Sequence, residues 1–434
     1  MQDQGGFMRL RITVLACALA ALSPLALPSL AGAAPRHNDG LSIRAVPHQI
    51  IAGEAVLIYG RLRGPNHANQ TIRLYHRINP NSSFSLIGVT KTDSLGLYEF
   101  TRAEGIVETN RSWFVRGPHF THSRTVHERV TALVSLAANP AVGLTRHPIT
   151  FSGTVTPNHA GGTVLLQVER ANGDDWRTLK HGRIKADSTY QIAYAWRVPG
   201  AHDVRVVFPG DARNTTGVSD PVTVLIQQTQ HADFTINTSA PIVRNGAPYT
   251  ISGILDQPGT TTPEPNTSVS LFAALPGTDS FHEVTTAMTD SSGKYSFAGL
   301  TSSTNKLYQV RTTFAPARDG SAVLFEGVQE VVNMSASSQT STVGGHITFT
   351  GSVSPDKSGH VIYLQKFGRD GDWHTVEVRT VATGSTFAFG WTFGAAGTKQ
   401  FRARITGGPV NVGAASPTVT VVVTQPPVTA LPSS

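Results

Sequence analysis

The chain has 434 residues, 39% of them hydrophobic and 15% charged, with 41 glycines, 26 prolines and a formal charge of +7. These values exclude a disordered acidic tail, a coiled coil and a multi-span membrane protein. The glycine, proline and threonine content points instead to small, turn-rich β units.

Arg9 and Arg11 precede an apolar run from Ile12 to about Leu30, which ends in Ala31-Gly32-Ala33. A basic segment, an apolar run and small residues in that order predict a secretory signal peptide over residues 1–33. Met8, directly before the basic segment, is an alternative start. The run approaches spanning length, but Pro24, Pro28 and the small-residue site favour cleavage over a membrane anchor. Cys17 is the sole cysteine, and the apolar stretch before it is too short for lipoprotein processing. Once the signal is removed no disulfide can form, so each domain depends on burial alone. No later stretch is apolar enough to span a membrane. The expected location is therefore secreted, extracellular or associated with the cell envelope. The positive charge favours an anionic envelope, but no Lys/Arg block marks a nucleic-acid partner.

From residue 41 onward the chain repeats itself. A glycine closes an alternating apolar strand at Val56-Leu-Ile-Tyr-Gly60, Ile149-Thr-Phe-Ser-Gly153, Tyr249-Thr-Ile-Ser-Gly253 and Ile347-Thr-Phe-Thr-Gly351. The spacing is that of one small domain, about one hundred residues. A second alternating strand follows each glycine, as in Thr71-Ile-Arg-Leu-Tyr75 and Val361-Ile-Tyr-Leu-Gln365. Next comes a short strand with an aromatic near its start: Phe84, Trp176, Phe281 or Trp373. A polar turn then enters an aromatic strand, as Asp93-Ser-Leu-Gly96-Leu-Tyr98-Glu-Phe100 and Asp290-Ser-Ser-Gly293-Lys-Tyr295-Ser-Phe297. Copies two and four use Asp187-Ser-Thr-Tyr190 and Ser385-Thr-Phe387-Ala-Phe389 there. Period-two alternation with β-branched residues predicts about seven strands per copy, folded as two packed antiparallel sheets.

These repeats resemble the bacterial immunoglobulin-like domains found in tandem in secreted actinobacterial surface proteins. The Asp93 and Asp290 turns are similar to those of prealbumin-like and carboxypeptidase-regulatory-like modules. The resemblance implies an all-β chain of four seven-stranded immunoglobulin-like sandwiches over 41–132, 133–228, 233–331 and 332–424, with a disordered tail over 425–434. The joints at 130–138 and 328–337 run from one strand almost directly into the next and read as stiff. Residues 227–233 read as a hinge, and modules laid end to end would give a rod on the order of 130 Å.

Catalytic signatures are missing from the sequence: there is no Gly-x-Ser-x-Gly, no His-Glu-x-x-His and no phosphate loop. No catalytic residue, cofactor or metal ligand is assigned, and the chain is expected not to be an enzyme. His119, His122 and His127 form the one histidine cluster, but their spacing does not place all three on one strand face. Asp174-Asp175 and Asp370-Gly-Asp372 precede Trp176 and Trp373 at hairpin tips, where turn formation suits them better than calcium binding. Trp176, Trp373, Asp175 and Asp372 are the candidate ligand-binding residues, since the indole faces suit a sugar ring, while packing is the competing role. Arg116, Arg205, Arg311, Arg402 and Arg404 either line an anionic groove or stand on sheet faces. Asn-x-Ser/Thr triplets, including those at Asn110 and Asn214, read as chance products of an Asn- and Thr-rich surface.

The expected function is that of a secreted, noncatalytic structural or adhesion protein built as a rod of modules. The expected partner is a cell-wall polymer, a polysaccharide or another surface protein. A carbohydrate- or cell-wall-binding array is the alternative reading, and a secreted hydrolase a remoter one.

Overall fold

The computed structural model describes residues 40–171, 173–312, 320–369 and 371–425. The signal sequence with Cys17, and nearly all of the expected tail, lie outside the described residues. Sandwich 1 is built from β1 (Arg44–Val46), β2 (Gln49–Ile51), β3 (Val56–Arg61), β4 (Thr71–Ile78), β5 (Ser85–Lys91), β6 (Leu97–Arg102), β7 (Arg111–Arg116) and β8 (Val126–Thr131). One sheet has the order β1-β3-β6 and the other β2-β8-β7-β4-β5. Side chains alternate as a half-buried strand requires: in β4, Ile72 and Leu74 are buried while Arg73 between them is exposed. The two inner faces enclose Ile43, Ile58, Ile72, Leu74, Trp113, Val115 and Val130.

The first strand of this sandwich is broken so that it serves both sheets. β1 pairs antiparallel with β3, and beyond Pro47 the chain crosses over and β2 runs parallel to β8. Proline cannot donate to a ladder, which suits it to the crossing. Pro140 and Pro241 occupy the same place in sandwiches 2 and 3. The parallel closing pair recurs as Val142–Leu144 with Val222–Gln227, Ile242–Arg244 with Leu324–Gln329, and Thr340–Thr342 with Val419–Thr424. All four repeats are thus immunoglobulin-like β-sandwiches, each with its own core.

The recurring glycine has a steric cause. Gly60, Gly153 and Gly253 lie directly across from Tyr98, Tyr190 and Tyr295 on the neighbouring strand. Each tyrosine crosses over its glycine and donates its hydroxyl to a backbone carbonyl of the segment that opens the sandwich, of Ser42, Ser135 and Thr235 respectively. A Cβ on the glycine would collide with both the hydroxyl and that carbonyl. In sandwich 4 Phe387 takes the tyrosine's place over Gly351 without the hydrogen bond.

The sandwiches are not strung end to end, which corrects the rod. Lys366 of sandwich 4 pairs with Glu54 of sandwich 1, and Lys399 with Glu104 at 2.6 Å. Arg402 of sandwich 4 pairs with Asp220 of sandwich 2 at 3.0 Å. Leu57 and Tyr59 of sandwich 1 pack on the core of sandwich 4. The chain therefore doubles back between sandwiches 2 and 3, because complementary charges and apolar side chains on non-adjacent modules meet.

The hinge expected at 227–233 is also corrected. The Gln227 side chain donates to the Phe325 carbonyl and accepts from its amide, both at 2.9 Å, and Gln228 accepts from Val323 N at 2.8 Å. Leu225, Ala274, Leu307 and Phe325 form a shared apolar cluster beneath. Buried hydrophobic contact and paired amides pin this segment. Among the described residues, no helix is long and apolar enough to cross a membrane.

Candidate functional site: a cleft among three sandwiches

Odd and even sandwiches differ, and the structure shows why the repeat is one of pairs. In sandwiches 1 and 3 the turn aspartates Asp93 and Asp290 each accept two backbone N–H groups through Oδ1, at 2.8–3.0 Å. In sandwiches 2 and 4 this turn is made by Ser188 and Ser385, both at positive φ, whose hydroxyls accept from His159 N and Lys357 N. The joints repeat in the same way. Asn110 Oδ1 accepts from Val130 N at 2.8 Å, and Asn305 Oδ1 accepts from Val328 N at 2.8 Å. Asn214 Nδ2 donates to Glu108 O and Val130 O, while Asn411 Nδ2 donates to Ser303 O and Val328 O. Asn214 is fully buried, so its triplet serves the joint.

The recurring arginines and hairpin aromatics turn out to be partners. The Arg205 guanidinium stands 4.1 Å from the Trp176 ring centroid, Arg402 4.4 Å from Trp373, and Arg311 5.6 Å from Phe281. In sandwich 1 Arg116 lies over Tyr75 and Phe114, while Phe84 receives Arg77 at 5.0 Å. The cation is attracted by the ring quadrupole and covers one ring face. Both tryptophans are half-buried, and Trp176 Nε1 donates to Gly173 O at 2.7 Å. Asp175 and Asp372 are exposed beside them, Asp175 lying 3.9 Å from Arg170.

Of the four candidate residues, Trp176 lines a cleft. That cleft, of about 540 Å³, lies where sandwiches 1, 2 and 4 meet. Its walls include Gln49 of β2, Trp176 and Arg205 of sandwich 2, and Tyr363, Glu377 and Trp391 of sandwich 4. Trp373 and both aspartates stand outside it. Trp391 and Tyr363 are the residues that sequence reading missed. Trp391 continues the alternating row Phe387, Phe389, Trp391, which was the available signal.

The walls are held by cross-sandwich bonds. Tyr363 Oη donates to Gly173 O at 3.0 Å, and burial pushes its hydroxyl up to about 12. Gly407 N of sandwich 4 donates to Asp203 Oδ2 of sandwich 2. Arg402 Nε donates to Gln365 Oε1 at 2.7 Å, and both side chains engage Asp220. Glu169, which interacts electrostatically with Arg205 and Tyr363, is raised to about 8 by burial and then by the Asp203 charge. It is therefore mostly protonated at neutral pH. Burial also raises Asp220 despite the neighbouring arginines.

His122 and His127 bond Ser123 O and the Ser112 hydroxyl, and His119 sits on a turn beside the exposed Phe120. Among the described residues, no group of three or more His, Cys, Asp or Glu is arranged to hold a metal ion.

The site and fold define an assembly of immunoglobulin-like sandwiches with a cleft made by three of them. No protein-family model matches the chain. No curated protein matches it either. It is similar to the solved structure of Escherichia coli alpha-2-macroglobulin activated by porcine elastase, with 15% identity over 88% of this chain and 44% of that one and a TM-score of 0.21. It is also similar to invasin, described as a bacterial integrin-binding protein, with 12% identity over 88% and 79% of the two chains and a TM-score of 0.23. A third similar structure is the Escherichia coli adhesin FdeC, with 13% identity over 67% and 96% and a TM-score of 0.22. The chain spans less than half of the macroglobulin's length.

Proposed function

We propose that the chain is a noncatalytic surface or adhesion protein, secreted or held at the cell envelope, that binds its ligand in the cleft among sandwiches 1, 2 and 4. The observation that carries this reading is the convergence of Trp176, Tyr363 and Trp391 with Gln49, Thr375 and Glu377 from separate modules. Aromatic surfaces interspersed with a few hydrogen-bonding groups are what a ligand pocket needs. A polysaccharide or cell-wall polymer fits this chemistry, since a sugar ring offers an apolar face and a polar rim. The site forms only when sandwich 4 docks on the other two, so binding depends on the folded-back arrangement.

The test is retention of the purified chain on insoluble cell wall and on polysaccharide resins, compared with Trp391→Ala and Trp176→Ala. The reading expects each substitution to weaken retention about tenfold, the loss of one stacking contact. Equal retention of all three proteins would refute the cleft as the binding site.

A further inference from the structure

The joint between sandwiches 3 and 4 brings three reactive side chains into one buried place. Glu330 precedes the strand Val331–Ala336, Lys357 lies between the strands His346–Ser354 and Val361–Phe367, and Asn411 follows the strand Gly397–Ile405. All three are buried, at 2%, 5% and 1% exposure. Lys357 Nζ is 2.9 Å from Glu330 Oε1 and 3.0 Å from Asn411 Oδ1. The carboxamide cannot turn freely, because Nδ2 donates to the carbonyls of Ser303 at 2.9 Å and Val328 at 3.2 Å. Its carbonyl end therefore faces the amine.

An amine held against a carboxamide, with a carboxyl in reach of the amine and water excluded, has the parts of an acyl-transfer site. We propose that Lys357 and Asn411 condense into an intramolecular isopeptide bond, with Glu330 as the proton shuttle. Lys357 first passes a proton to Glu330, which leaves a neutral amine. The Nζ lone pair then attacks Asn411 Cγ, forming the new C–N bond. The Cγ–Nδ2 bond breaks as Glu330 gives its proton to Nδ2, and the carboxyl recovers a proton from Nζ. One ammonia molecule leaves, and nothing is oxidised or reduced.

Two further observations support this assignment. Burial raises the Glu330 carboxyl to about 7, and Lys357 draws it back only in part, so the protonated form is accessible near neutral pH. The joint between sandwiches 1 and 2 has the same asparagine on matching carbonyls, but different chemistry around it. There Ala132 stands for Glu330, since Ala132 N donates to Thr215 O as Glu330 N donates to Val412 O. His159 stands for Lys357, each donating its backbone N–H to the hydroxyl of the following serine turn. The joint itself needs neither an amine nor an acid at those positions, so their presence in the second joint calls for another role.

The experiment is proteolytic digestion of the purified full chain followed by tandem mass spectrometry. The same is done for Lys357→Met and for the near-isosteric Glu330→Gln, with circular dichroism confirming the fold of each sample. The proposal expects a branched peptide joining Lys357 to Asn411, lighter than its parts by one ammonia, in the unsubstituted chain. Both variants should give the two peptides unlinked and at full mass. A folded, unsubstituted chain with separate, full-mass Lys357 and Asn411 peptides would overturn it. So would an ammonia loss mapped elsewhere, or a link that still forms in Glu330→Gln.

Discussion

The two joints of this molecule share a backbone frame and differ in what fills it. At the first, Asn110 and Asn214 tie the Val130 strand to both neighbouring loops, and His159 packs 4.3 Å from Phe208 and 3.1 Å from Asp211. At the second, Asn305 and Asn411 make the equivalent bonds, but the pocket holds the ion-paired Lys357 and Glu330. The asparagines therefore set the geometry, and the pocket residues are free to set the chemistry. A two-sandwich unit used twice has kept its hinge-free junction while its contents diverged.

The largest expected effect comes from emptying the two pockets. Closing the loop between Lys357 and Asn411 with a covalent link is worth about 4 kcal/mol by chain entropy. Lys357→Met loses that link and the packing of the lysine stem beside Glu330. His159→Met should cost less than about 2 kcal/mol, the range of an ordinary half-compensated packing change. Urea denaturation of both variants checks this, and equal losses would break the contrast between the joints.

Intermediate effects are expected where the joints are alike. Asn110→Ala and Asn305→Ala each leave a strand amide unpaired, at a cost of about 1–3 kcal/mol. Thermal melts should place the two losses within about 0.5 kcal/mol of each other. A joint that tolerates its substitution while the other does not would show that the frames are not equivalent.

The last effect concerns pH and sharpens the contrast between joint and docking face. Glu169 is raised to about 8 in the folded chain, first by burial. A carboxyl raised on folding contributes stability that is full below its unfolded value of about 4.5 and is lost as pH rises through the folded one. Glu128, also raised to about 8 by burial, adds to the same trend. The Tm should therefore fall by several degrees between pH 6 and pH 9. Glu169→Gln should remove part of that slope, and an unchanged slope would mean that Glu169 is solvated in the folded state.

Each sandwich was readable from sequence because local rules act within it. Alternation at Ile72 and Leu74 marks a face, and a glycine opposite an aromatic marks a crossing such as Gly60 with Tyr98. The pairing of sandwiches was half visible in the aspartate turns that copies 1 and 3 share. The docking was not visible, because Glu54, Glu104, Asp220 and Lys366 have the composition of any exposed surface, and only the tertiary arrangement gives them partners. For the same reason the cleft escaped notice: Trp176 was identified for its position on a hairpin, while Tyr363 was only one residue of an alternating strand and Trp391 lay just beyond the quoted aromatic pair Phe387 and Phe389. The arginines and hairpin aromatics were each recognised as a series, but only the folded chain shows that they meet in sandwiches 2, 3 and 4.

The claim on which the cleft depends is that sandwich 4 docks on sandwiches 1 and 2. Zero-length carbodiimide coupling of the dilute chain, read by mass spectrometry with isotope-mixed samples to separate links within and between molecules, tests it directly. Docking predicts intramolecular Glu54–Lys366 and Glu104–Lys399 links. Links confined to residues within single sandwiches and adjacent joints would contradict it.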